Sequence, residues 1–155
     1  MNWQDWLEKW KMKSLKISAG FLEMEWSPAD VDRYAAWELY IELLTRIATQ
    51  PLAEEEGDET TALDSLAELF PLTREIIRAH RGCYELTKIA VVVLNQVLRP
   101  FTAKWRRLSL QGVFDEESQC KEFRNQLTEL QEKLRRYTRM LGEMAGVEAD
   151  LTTLE

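Results

Sequence analysis

Seven apolar residues late in the chain, Phe123, Leu127, Leu130, Leu134, Tyr137, Leu141 and Met144, follow one another at spacings of 4, 3, 4, 3, 4 and 3. Three consecutive heptads of this kind describe one unbroken apolar face on a helix, roughly 33 Å long at 1.5 Å per residue. Such a face must be covered over its whole length, so the remainder of the chain has to supply helices that lie against it. Asp115 offers a cap before the pattern and Gly146 ends it, leaving Val147–Glu155 as an acidic tail. Because other helices are available, the face is expected to pack within the chain rather than to form a self-associating coiled coil.

The rest of the sequence agrees with a helical reading. Four prolines and six glycines in 155 residues are too few for a linker-rich chain, and β-branched residues cluster only within Ile89–Val93. The expectation is an all-α, compact multi-helix bundle made as a single domain over residues 1–155, a length that buries about two thirds of the unfolded surface. Near the start, Trp3, Trp6 and Trp10 fall at i, i+3 and i+7 on a short Trp-rich helix. Residues 14–26 carry two alternating apolar sets of opposite parity, which fit either a small N-terminal hairpin turning near Gly20 or an irregular helical connection.

Ser27, Pro28 and Asp30 read as N-cap, N1 and N3 of the next helix. Its apolar set is Val31, Tyr34, Ala35, Trp37, Tyr40, Ile41, Leu44 and Ile47, and Pro51 is expected to close it. Residues 53–60 form an acidic surface loop without the spaced oxygen ligands of a calcium loop. A helix over Ala62–Phe70 should break or kink at Pro71 and resume over Leu72–His80. Cys83–Leu98 is the most apolar segment and the candidate central helix, with Arg99 and Pro100 expected to stop it; Phe101–Leu108 adds a further turn or two.

The net charge of -7 conceals a segregation. Residues 1–70 carry 6 Lys/Arg against 15 Asp/Glu, residues 71–107 carry 8 against 2, and residues 108–155 carry 6 against 10. A basic middle either packs beside its acidic flanks or docks an acidic partner. Arg99, Lys104, Arg106 and Arg107, interleaved with Phe101 and Trp105, form the densest cationic stretch and the candidate contact for a protein or a polyanion.

The chemical inventory is thin. His80 is the single histidine, with Cys83 three residues on, and a structural zinc needs two further ligands that the chain does not offer nearby. No phosphate-binding glycine loop, HExxH or GxSxG motif occurs, so no catalytic residue, metal or cofactor is assigned. The longest apolar run, Ile89–Leu94, is far too short to span a bilayer, and no leader pattern opens the chain, which reads as cytoplasmic with Cys83 and Cys120 as reduced thiols. Function is therefore expected to be non-catalytic: a helical protein-protein interaction module or accessory subunit docking through Trp3, Trp6 and Trp10, through the basic middle, or through both, with a protein partner or a second copy. A small nucleic-acid-binding or regulatory protein using residues 74–107 is the alternative, and an enzyme without a familiar motif the third.

Overall fold

The computed structural model describes residues 1–12, 14–54 and 58–154, and over these the chain is all-α, without a strand. The heptad segment lies within a 29-residue helix, α8 (Glu117–Ala145), whose buried side chains include all seven heptad residues. Its start differs from expectation. Asp115 sits in a 3-10 turn, Val113–Asp115, and the N-cap is Glu116. Gly146 ends the helix as read, with φ of +81°, a conformation that favours glycine.

The most extensive partner of α8 is α3 (Asp30–Leu44). Close approach is set by Gly142, where an added Cβ would lie 3.0 Å from Cε2 of Tyr40. The helix begins two residues later than the Ser-Pro signal suggests. Ala29 is its N-cap, and the Asp32 carboxylate accepts the Ala29 N–H at 2.8 Å. The same buried carboxylate accepts the Leu86 N–H at 3.1 Å, so one aspartate caps α3 and the first turn of α6 (Tyr84–Val93) together. Helix α3 also ends early, at Leu44 rather than near Pro51. Thr49 donates to the Leu43 carbonyl at 2.6 Å and Gln50 to that of Leu44 at 2.8 Å, replacing the partners that the last turn lacks. From α8, Gln131 donates to the carbonyls of Ile47 and Gln50, and Arg135 to that of Thr49. These bonds fasten the turn after α3 to the long helix.

The remaining helices wrap this pair. The break expected at Pro71 falls at Glu68, between α4 (Glu59–Ala67) and α5 (Leu69–Ala79). Pro71 lies in the first turn of α5, where a missing N–H costs nothing. Nor do Arg99 and Pro100 stop the apolar helix. A π-turn over Leu94–Leu98, closed by the Arg99 N–H on the Leu94 carbonyl, leads directly into α7 (Arg99–Leu110). The wider turn gives the Pro100 ring room beside the carbonyl of Gln96, which a straight α-helix would drive into it. The apolar segment is not central either: Val91 is exposed, and α8 with α3 holds that place.

At the start of the chain, α1 (Trp3–Lys9) is capped by Asn2 and Asp5, and α2 (Ala19–Glu23) by Ser18. No hairpin forms over residues 14–26 among the described residues. Instead the strand-like stretch before α1 meets the one after α2 in a single antiparallel bridge, Asn2 with Glu25. The middle of the acidic loop 53–60 lies outside the described residues. The loop ends earlier than expected, since Glu59 and Thr60 already belong to α4, and Asp58 caps that helix through the Thr60 and Thr61 amides. One apolar core runs from Trp3 to Met144. No helix is long and apolar enough to cross a membrane among the described residues.

Candidate docking face

The tryptophan stripe faces inward. Trp3 and Trp6 are completely buried, edge to face at 5.3 Å, with Phe21 against Trp3 and Trp26 stacked on Trp6 at 4.7 Å. The Trp3 indole donates to Glu85, which Lys88 also holds. Trp10 is half-buried, and its indole donates to Glu143 at 2.7 Å beside the Lys9 ammonium. In this fold the stripe closes the chain's own core and leaves a partner nothing of Trp3 or Trp6 to touch.

The basic middle is also partly engaged. Trp105 is completely buried among Phe101, Phe114 and Phe123 and donates to Gln126. Arg99 stacks over Phe70 at 4.6 Å, Lys104 reaches Gln126, and Arg106 meets Asp64 at 3.5 Å. Arg107 is exposed, as are Arg74, Arg78 and Arg81 of the preceding elements. The basic segment thus packs against an acidic flank in part, through an exposed pair of small energetic weight.

His80 joins two helices rather than forming a reactive pair with Cys83. Its Nδ1 lies 2.9 Å from the Ile76 carbonyl and its Nε2 3.3 Å from Glu38 of α3. Cys83 is buried beside Thr87 and the Ile77 carbonyl. Burial, with Glu59 nearby, pushes the Cys120 thiol up, which disfavours the nucleophilic thiolate. Among the described residues no group of three or more His, Cys, Asp or Glu side chains is placed to hold a metal ion. Two further clefts, one of 470 Å³ beside Trp10 and Arg139 and a more polar one of 590 Å³ beside the π-turn, contain pairs already made, Lys9 with Glu143 and Lys104 with Gln126.

The feature that the fold leaves open is the outer side of α3. Tyr34, Trp37 and Ile41 recur at i, i+3 and i+7 and are 65%, 45% and 41% exposed. On the opposite side of the same helix Ala35, Ala36, Leu39, Tyr40 and Leu43 are buried against α8 and its neighbours. Between α3 and α5 runs a groove of about 410 Å³, floored by Trp37, Ile41, Leu72, Ile76 and Ala79 and rimmed by Glu38, Glu42 and Glu75. No cation lines it. Arg46 is shared between Glu42 and Glu68, at 2.9 and 3.0 Å, so one positive charge faces two carboxylates at that end.

Sequence reasoning places Tyr34, Trp37 and Ile41 in the same apolar set as Ala35 and Tyr40. The signal for an open face is that these positions, from Tyr40 through Trp37, Ile41 and Tyr34 to Ala35, spread over more than half of the helix circumference, so no single core contact can cover them all. Comparison with known proteins finds no family model, no curated protein and no solved structure that matches this chain.

Proposed function

We propose that this protein is a helical interaction module that receives part of another protein along the outer face of α3 and its groove with α5. The observation that carries this reading is the exposed stripe Tyr34, Trp37 and Ile41, two large aromatics and an isoleucine held on a rigid helix. Side chains of this size leave a large apolar area in water even when part of each is covered, and gain by desolvation against a partner; Trp and Tyr are among the residues most enriched where binding energy concentrates. The interaction class is the one expected from the sequence, but the surface moves from the buried Trp3 and Trp6 to α3.

The test is site-directed photo-crosslinking in the native cell, with the reactive group placed in turn at Trp37, Ile41 and, as a control, the 89% exposed Leu110. A discrete protein adduct from positions 37 and 41, absent from position 110 and abolished by Tyr34→Asp, is expected. Adducts that form equally from all three positions, or nucleic acid bound through the basic residues instead, would overturn this reading.

A further inference from the structure

We infer that the segment seated in the α3–α5 groove is a basic amphipathic helix of a different protein. This rests on the docking role of the groove and adds the chemistry of its occupant. Two helices side by side leave a valley that a third helix fills with one apolar edge, the usual geometry when a helix is recognised in a groove. The floor of this valley, Trp37, Ile41, Leu72, Ile76 and Ala79, is apolar and asks for apolar side chains at i, i+3 or i+4, and i+7. The charged side chains that line the valley are all acidic, Glu38 and Glu42 from α3 and Glu75 from α5, while the exposed Arg74 and Arg78 of α5 lie outside the lining. His80 and Arg46 hold the first two from outside the floor, and Glu75 has no ion pair among the described residues. Lys or Arg flanking the apolar edge of an incoming helix meets these carboxylates as the edge is buried.

The same rim argues against the other occupants. A second copy would bring its own Glu38, Glu42 and Glu75 to the contact, because a two-fold interface sets the same patch against itself, and both chains carry a charge of -7. An anionic bilayer is repelled by the three carboxylates around this apolar floor.

The experiment is selection from a random 16-residue peptide library displayed on phage against the full chain, with counter-selection against a Trp37→Asp, Ile41→Asp variant verified as folded by circular dichroism. Peptides that bind only the wild type are sequenced, synthesised and titrated against the wild type and against Glu38→Gln, Glu42→Gln, Glu75→Gln. The expected result is Lys- and Arg-flanked helical sequences whose affinity falls about tenfold in the triple variant and also falls with added salt. Groove-dependent peptides that are neutral or acidic, or whose binding ignores both the triple variant and salt, would overturn the basic-helix assignment while leaving the groove as a docking site. No groove-dependent peptide at all would overturn both.

Discussion

The six tryptophans of this chain divide by what surrounds them, and the division carries more information than their number. Trp3, Trp6 and Trp105 are completely buried, Trp10 and Trp26 half-buried, and Trp37 is the exposed one. Removing a buried tryptophan forfeits both transfer energy and packing. Trp6→Ala is therefore expected to cost about 3–5 kcal/mol, whereas Trp37→Ala, with nearly half of its surface already in water, should cost clearly less, about 1–2 kcal/mol. Urea unfolding followed by circular dichroism checks both values. A large loss at Trp37 would mean that it supports the fold rather than a partner. The N-terminal tryptophans were legible as one face of a helix, but their destination was not. The indole of Trp3 bonds to Glu85 and that of Trp10 to Glu143, and spacing within ten residues says nothing about contacts so far along the chain.

Elements were legible where their apolar period was long and uninterrupted. The heptad set of α8 reads directly from residues 123–144, and every member is buried. Boundaries fared worse because side chains elsewhere decide them: Thr49 and Gln50 end α3 before Pro51, and a π-turn carries the chain through Pro100. The tail after α8 is a further case, acidic in sequence yet docked in part. Arg139 meets Asp150 and Thr152, and the Leu151 N–H donates to the Tyr40 hydroxyl. Burial raises the Asp150 carboxyl, but the Thr152 hydroxyl and amide together with Arg139 outweigh it and hold it below the usual carboxylate range. A depressed carboxylate stabilises the docked tail above its unfolded value, about 3.9, and loses that contribution as pH falls through the folded one. The amide resonances of Leu151 and Thr152 should accordingly move toward unfolded positions below about pH 4, ahead of those in α8. If all of them move together, Asp150 does not set the docking.

For the whole molecule, the charge segregation and the apolar surplus have separate outcomes. Some of the basic middle is engaged internally, as Arg106 on Asp64 and Arg99 over Phe70, while Glu38 and Glu42 of the acidic first part, with Glu75 of the middle, stand around an apolar groove. The class of fold follows from helix period alone. The open face of α3 does not, since it depends on which helices the folded chain can bring to its outer side. With acid on the rim of that face, the isolated protein is expected to sediment as a monomer at neutral pH in low salt. A dimer abolished by Trp37→Asp would seat a second copy on α3 instead, and sedimentation velocity separates the two.

The route by which Trp3 and Trp10 find their partners has a further consequence for synthesis. Glu85 lies 82 residues after Trp3, and Glu143 lies 133 residues after Trp10. On the ribosome this aromatic stretch therefore emerges long before Glu85 and Glu143, and until α8 has been translated it has only its near neighbours, such as Phe21 and Trp26, to pack against. The nascent chain is a transient client for whatever shields greasy segments in the cell, and codon changes that slow translation between residues 85 and 143 should lower soluble yield without altering a single amino acid.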